Sequence, residues 1–483
     1  MFSQFRRQSP ASEPASVAPG PRSHRRRKPV HRWGRPWARR ILGGLAAAVL
    51  TIGGGMAAAG PSAAAEAKQG YIVVFKDTVV DPAATAAAHQ RTYGVSPSGI
   101  YRDAVGGYAA TMTASEAQRV QADPGVEFVT MSRKFDKPRD PEPPSTQVAP
   151  LWRQRIAGPR SDAGNTRAGD SEHPVDVNVA VIDSGIDATH PDLNVRGGID
   201  CTSGSPVSVT PIDVLGHGTF VAGVIGAKNN NFGVIGTAPG TPLWSVRVVD
   251  GVGGISEQSM ICAIDWVTST RKDKDPNNDI QVANISIAGA GTDSENCGKG
   301  TDAMHYAICR SVKAGVAYTV AAGNASVDFA GTIPATYDQV LTATAMADFD
   351  GQPGGLAAPV CGTLDWTAFG QKDDQPAFFS NFATLPADKA HTVAGPGVCM
   401  LSTAPGGYAV NHGTSFSSPA VAGSVALCIS RGECEGSGQD VMEQFLAVTK
   451  AYNKDHRGFG FGGDPIRPIS GRYYGYLTGV ADF

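Results

Sequence analysis

None of the first 200 residues is cysteine, and the eight cysteines that follow (201, 262, 297, 309, 361, 399, 428 and 434) never stand at C-x-x-C spacing. That spacing excludes a structural zinc site of the finger or ribbon type, which presents its thiolates in close pairs. Charge is scarce too: 18% of residues are Asp, Glu, Lys or Arg against 41% hydrophobic, the balance of a globular chain and not of a disordered one. Residues 1–40 hold 11 of the 41 Lys+Arg and one of the 44 Asp+Glu, residues 41–65 hold no charge, and the rest carries 30 cations against 43 anions. An acidic body without clustered cations cannot neutralise a phosphate backbone, which excludes nucleic acid as a partner. No repeat of about 20–50 residues recurs, so solenoids and propellers are excluded as well.

At 483 residues the chain predicts two to three units, at least one with a large core. Residues 1–65 have the order of an export signal: a basic stretch ending at Arg39-Arg40, the apolar run 41–60, and small residues near Ala65 for a cleaving peptidase. An uncleaved leader would instead anchor the chain to the membrane, since the run is nearly long enough to span it. The double arginine fits a twin-arginine route and an ordinary basic leader alike. An even cysteine count behind an export signal favours disulfides. Eight cysteines allow about 105 full pairings, and only the near neighbours Cys297/Cys309 and Cys428/Cys434 suggest themselves.

Residues 66–135 read as a small α+β module, with strands at 71–77, 106–113 and 126–131 and helices at 82–94 and 114–123. The stretch 136–146, DKPRDPEPPST, is a linker rich in proline and charge, exposed and cleavable. From about residue 175, apolar runs recur at 177–182, 243–249, 280–287, 315–322 and 340–345, with helical segments between them. Continuous apolar strands alternating with helices predict an α/β fold, a doubly wound, mostly parallel sheet with helices on both faces. Nothing after residue 430 reads as an added domain. GFGFGG (458–463) lacks the preceding strand and following helix of a nucleotide loop and reads as a flexible turn.

In such sheets the working residues gather beyond the carboxyl ends of the strands. Asp183 follows the run 177–182, Asn324 ends TVAAGN, His217 lies in GHGTFVAGVIGA, and Ser415 lies in NHGTSFSSPAVAG. Each stretch alone is an ordinary turn. Together they supply a hydroxyl nucleophile, an imidazole to take its proton, a carboxylate to orient the imidazole, and an amide for an oxyanion. The chain order Asp, His, Ser is that of subtilisins.

At these residues the chain resembles the secreted bacterial subtilisin-like serine proteases, in the blocks VAVIDSGIDATHPDL, GHGTFVAGVIGAKNNNFGVIGTAPG, NISIAG, YTVAAGN, IPATYDQVLTATA, FSNF and NHGTSFSSPAVAGSVAL. The resemblance implies a peptidase domain over 147–483, with Asp183, His217 and Ser415 as the triad and Asn324 as the oxyanion donor; it selects Ser415 over Ser417 and Ser418. It implies a serine hydroxyl at the positive end of a helix, with Pro419 at an early helical position. It also implies that 66–135 is an inhibitory propeptide of the I9 type, cut away somewhere between Phe135 and Gln147. That propeptide and extended polypeptide substrates are the partners implied, for a secreted monomer that meets the membrane only through its leader. Substrate would join two strand edges, Gly251, Gly253 and Gly254 on one side and Ser286, Ile287 and Ala288 on the other. Ala321, Gly323 and Thr332 would complete the first pocket, where no acid invites a basic residue. The loop AKNNNFGV (227–234) matches the family's calcium loop, implying a structural calcium held by Gln147, Asp192, Lys228, Asn230, Phe232 and Val234; oxygen ligands of these kinds suit a hard cation. Catalysis itself calls for no cofactor. Ala288, Phe220, Phe416 and Ala420 depart from residues common in the family. The competing expectation is a catalytically silent binding protein on the same fold.

Overall fold

Alternation along YIVVF accounts for the N-terminal unit. Tyr71, Val73 and Phe75 turn one way into a core closed by two helices, while Ile72 and Val74 turn the other way and join the core of the larger unit. The computed structural model describes residues 66–135, 147–157, 173–294 and 296–481. The leader at 1–65 and the linker at 136–146 lie outside the described residues.

The N-terminal unit runs β1 (Gln69–Phe75), α1 (Pro82–Tyr93), β2 (Pro97–Tyr101), β3 (Gly107–Met112), α2 (Ala114–Gln121), β4 (Val126–Met131) and β5 (Lys134–Phe135). Its antiparallel sheet has the order β2-β3-β1-β4. Local chemistry sets the helices: Asp81 caps α1 with Pro82 behind it and Gly94 closes it in the left-handed region, while Thr113 and Glu116 form a capping box on α2. Strand β2 is absent from the sequence expectation. PSGIY is assigned no element from the sequence, and the strand is tolerated here because it lies at the sheet edge with Pro97 as its first residue.

The larger unit runs α3 (Leu151–Ala157), β6 (Asn178–Asp183), β7 (Val195–Asp200), β8 (Val207–Ser208), α4 (His217–Gly226), β9 (Leu243–Arg247), β10 (Ile255–Ser256), α5 (Glu257–Thr270), β11 (Ile280–Ile285), β12 (Gly289–Ala290), α6 (Ala303–Lys313), β13 (Ala317–Ala321), β14 (Thr332–Ile333) and β15 (Leu341–Ala347). There follow the hairpin β16 (Val360–Cys361) and β17 (Leu364–Asp365), β18 (Gln375–Pro376), α7 (Pro386–Ala390), β19 (Thr392–Pro396), β20 (Met400–Ala404), β21 (Gly407–Asn411), α8 (Thr414–Ser430), α9 (Gly438–Asp455) and β22 (Tyr476–Leu477). The main sheet has the order β22-β19-β15-β13-β11-β6-β9-β7-β8 and is parallel throughout except at β8 and at β18, which pairs antiparallel with β15. Every residue of β6, β13, β15 and β19 is buried, so both faces of the sheet are covered.

Helix α8 lies along β11, β13, β15 and β19, and its small residues Ala420, Ala422, Gly423 and Ala426 let it run through that crowded interior. A Cβ at Gly423 would meet Thr237 at 2.5 Å. Beyond residue 430, α9 packs on α8 and β22 extends the main sheet. The segment 458–463 is not a loose turn: Phe459 and Phe461 are buried, and the Gly460 carbonyl accepts the Arg155 guanidinium at 2.8 Å. The disulfides are Cys201–Cys262, Cys297–Cys309, Cys361–Cys399 and Cys428–Cys434, which includes both near-neighbour pairs suggested by the sequence. Among the described residues no helix is long and apolar enough to cross a membrane.

Candidate active site

Three adjacent strands, β13, β11 and β6, end at one edge of the sheet and deliver Asn324, Ser286 and Asp183 beside the first turns of α4 and α8. Asp183 is the last residue of β6 and buried; its Oδ1 and Oδ2 lie 2.8 and 2.9 Å from His217 Nδ1. Its Oδ1 also accepts the Ser184 amide at 2.7 Å, which fixes the carboxylate plane. His217 opens α4 behind Gly216, whose φ of +84° serves as an N-cap without a side chain.

The capping falls to Asp213, which sequence reasoning missed. Its Oδ1 accepts the amides of Leu215 and Gly216 and the Ser184 hydroxyl, and its Oδ2 accepts the Thr219 amide and hydroxyl, at 2.6–2.9 Å. Since Ser184 Oγ accepts the Gly218 amide at 2.9 Å, the residues on either side of His217 are held to the end of β6. An acid four positions before the histidine is the signal in the sequence, and it reads there as a common turn residue.

Ser415 is the second residue of α8. Asn324 Oδ1 accepts both the amide and the hydroxyl of Thr414 at 2.9 Å, and Thr414 Oγ1 accepts the Gly323 amide at 3.0 Å. That arrangement commits the oxygen of Asn324 and leaves its Nδ2 as the donor. Pro419 is the sixth residue of α8, deeper than the early position expected. Proline cannot donate to the carbonyl four residues back, that of Ser415, and the Ser286 hydroxyl donates to it instead at 2.6 Å. In return Ser415 Oγ donates to the Ser286 carbonyl at 3.3 Å. Asn284, fully buried and also missed from the sequence, ties this together: its Nδ2 donates to Ser286 Oγ at 2.9 Å, and its Oδ1 accepts the hydroxyls of Ser418 and Thr319 at 2.7 and 3.1 Å. The Phe416 ring lies 5.3 Å from that of His217 and 4.5 Å from that of Phe220, so these two departures from common family residues fill one space together.

The expected cleft edges need one correction. Gly251, Gly253 and Gly254 form a tight turn, with Asp250 Oδ1 accepting the amides of Val252 and Gly254, and not a straight edge. Pairing begins one step later, where β5 joins β10 antiparallel with Phe135 opposite Ile255 and Lys134 opposite Ser256. Ser286 and Ile287 are buried and Ala288 is half-buried, continuing into β12, which pairs with β14 at Thr332. Ala321 is buried, and Gly323 at φ +102° leaves no space for a Cβ, which would lie 2.5 Å from Asn381 Nδ2.

Around the predicted calcium loop, Gln147 Nε2 lies 3.2 Å from the Lys228 carbonyl, Asn230 Oδ1 accepts the Phe232 amide at 3.0 Å, and Asp192 Oδ2 accepts the Val234 amide at 3.0 Å. These bonds place Gln147 and Asp192 against the loop 227–234. Asp192 is fully buried, its Oδ1 lacks a hydrogen-bond partner among the described residues, and burial raises its carboxyl above the usual range. A buried carboxylate oxygen with no donor suits a cation. Asp348, Asp350 and Asp373 also cluster, elsewhere in the molecule.

The subtilase family model matches residues 175–462, and the peptidase inhibitor I9 model matches residues 70–136. Subtilisin E of Bacillus subtilis (strain 168) is 31% identical over 370 residues, covering 75% of this chain and 80% of that one. Subtilisin of Bacillus pumilus is 35% identical over 260 residues, 53% of this chain and 77% of its own length. In fold the chain is similar to the crystal structure of an epidermin leader peptide processing serine protease from Staphylococcus aureus, with a TM-score of 0.56 at 18% identity, covering 79% of this chain and 92% of that one. With a family model over more than half its length and subtilisins at this identity, the chain belongs to the subtilase family and is a serine endopeptidase carrying an I9 propeptide.

Proposed function

We propose that the chain is exported as a zymogen, frees itself by cutting between Phe135 and Gln147, and then hydrolyses peptide bonds through Asp183, His217 and Ser415. In this reading His217 takes the Ser415 proton as Oγ attacks the carbonyl, Asp183 stabilises the imidazolium, and the resulting oxyanion is met by Asn324 Nδ2 and the Ser415 amide. The imidazolium then protonates the leaving amine, and water releases the acyl group by the reverse steps. The observation that carries the reading is the buried contact of 2.8 Å between His217 Nδ1 and Asp183, which fixes the imidazole to the end of β6. The domain limits 66–135, 136–146 and 147–483 belong to this proposal. So does secretion, supported by the basic and apolar leader and by four disulfides, which suit an oxidising compartment.

Gln147, Asp192, Lys228, Asn230, Phe232 and Val234 would hold a calcium ion. When bound, that ion supplies charge compensation for Asp192 and a brace across the loop. Replacing Ser415 by alanine is expected to lower kcat on casein-derived peptides by about 10⁶-fold and to abolish labelling by a fluorophosphonate. Equal turnover by Ser415→Ala, or lasting inertness of the propeptide-free protein to the label, overturns the assignment, the latter in favour of a silent binding protein.

A further inference from the structure

Arg133 precedes β5, and its guanidinium enters a site built by the peptidase domain. Nη2 donates to Glu257 Oε1 at 2.8 Å, to Asp302 Oδ1 at 2.9 Å and to the Tyr337 hydroxyl at 3.1 Å, and Nη1 donates to Asp302 Oδ2 at 3.2 Å. The Arg133 amide donates to Glu257 Oε2 and its carbonyl accepts the Glu257 amide, both at 2.9 Å, so the backbone continues the β5–β10 ladder. Glu257 and Asp302 are 1% and 4% exposed.

The site does not depend on the propeptide for its shape. Asp302 caps α6 by accepting the His305 amide at 2.9 Å and accepts the Tyr337 hydroxyl at 2.7 Å, while Tyr337 is stacked on His305 with ring centroids 4.1 Å apart. Glu257 is the first residue of α5, where a negative charge is favoured. Among the described residues the ion pairs of Glu257 and Asp302 are both to Arg133, so the two carboxylates lose that cation when the propeptide leaves.

We infer that Glu257, Asp302 and Tyr337 form a remote specificity subsite that takes the guanidinium of an arginine N-terminal to the scissile bond in substrates lying along β10. The inference rests on the protease reading above. Its geometry follows from β5: a chain pairing antiparallel with Ser256 and Ile255 runs on toward Gly254 and, from beside Gly291, along the segment that leads back to Ser286 and Ser415. The two donors that meet both oxygens of Asp302 while one also reaches Glu257 require a planar fork, which selects arginine over lysine. Burial works against the cation, yet Glu257, Tyr337 and Asp302 raise the Arg133 pKa above its ordinary value. The site lies outside the first pocket, where no acid stands.

The test uses propeptide-free enzyme and internally quenched peptides spanning residues 130–149 of the precursor, with Arg133 kept or replaced by lysine or by its neutral isostere citrulline. The arginine peptide is expected to show kcat/KM at least about 10-fold above citrulline, with lysine between them. In Glu257→Gln and Asp302→Asn enzymes the ratio should fall toward one. Equal kcat/KM for arginine and citrulline in the unmodified enzyme overturns the subsite and reduces the contact to propeptide docking; so does a ratio that survives both substitutions. If no peptide is cut, the protease reading has failed, and the same uncut peptides, labelled, still decide the subsite by fluorescence anisotropy. Tighter binding of arginine then supports it, and equal Kd values overturn it.

Discussion

Gly413 has a φ of +149°, and a Cβ there would stand 3.4 Å from Asn324 Nδ2 and 3.7 Å from the Ser415 amide. Those are the two donors proposed for the oxyanion, so a methyl group at 413 would occupy the space the oxyanion needs and strain the turn into α8. Gly413→Ala is expected to lower kcat by roughly 10²-fold, the effect of one lost donor, with a smaller change in KM. Steady-state kinetics check it, and an unchanged kcat would remove this pair of donors from the mechanism. Asp183, His217, Asn324 and Ser415 stood out in the sequence because four ordinary stretches combined in one order, and the resemblance to subtilisins singled out Ser415 from its neighbouring serines. Asp213 and Asn284 did not, because a single acid or amide in a turn or strand has many ordinary uses; only their five and three hydrogen bonds, respectively, give them away.

Helix α8 survives a proline at its sixth residue because a strand-end serine supplies the hydrogen bond that proline cannot. Ser286→Ala strands the Ser415 carbonyl in a buried place and is expected to cost about 1–3 kcal/mol of stability. Urea unfolding in a Ser415→Ala background, which prevents self-digestion, measures it; a loss near zero would mean that the carbonyl finds another donor. Most elements were legible at this scale. The apolar runs became β6, β9, β11, β13 and β15, and the helices read at 82–94 and 114–123 became α1 and α2. Strand β2 escaped because its Pro, Ser and Gly are tolerated only at a sheet edge, and edge position is a property of the assembled sheet. The turn 458–463 escaped because its burial depends on Arg155, about three hundred positions away.

Across the whole molecule, the propeptide is held by α5 and α6. Asp265 of α5 accepts the amides of Arg102, Asp103 and Ala104 at 2.5–2.9 Å. Burial pushes its carboxyl up from 3.8 to about 6, against the pull of those amides. The folded precursor therefore keeps a proton that the unfolded chain gives up near 3.8. The stability this group contributes is full below that pH and is lost as pH rises through about 6. In a Ser415→Ala precursor, Tm is expected to fall more between about pH 4 and 7 than it does with Asp265→Asn added; parallel profiles would show that the carboxyl titrates as an exposed one. The proposed calcium ion would act on the same scale. A chelator is expected to lower the Tm of the mature enzyme by several degrees, reversed by calcium and absent in Asp192→Asn, because a ligand at about 100 times its Kd contributes roughly 2.7 kcal/mol. A Tm indifferent to chelation would leave the buried Asp192 oxygen without that explanation.

The sequence by itself determined the class of fold, through the spacing of its apolar runs, and the chemical kinds present at the strand ends, through short segments whose meaning is local. It also suggested, without deciding, the two disulfides whose partners lie within a dozen residues. Tertiary structure alone decided what depends on pairs far apart in the chain. Ser286 opposite Ser415, Asp265 beneath the amides of 102–104, and Arg133 between Glu257 and Asp302 each join residues more than a hundred positions apart. Hydrophobic periodicity says which face of an element is buried, but it carries no information about which buried face it will meet.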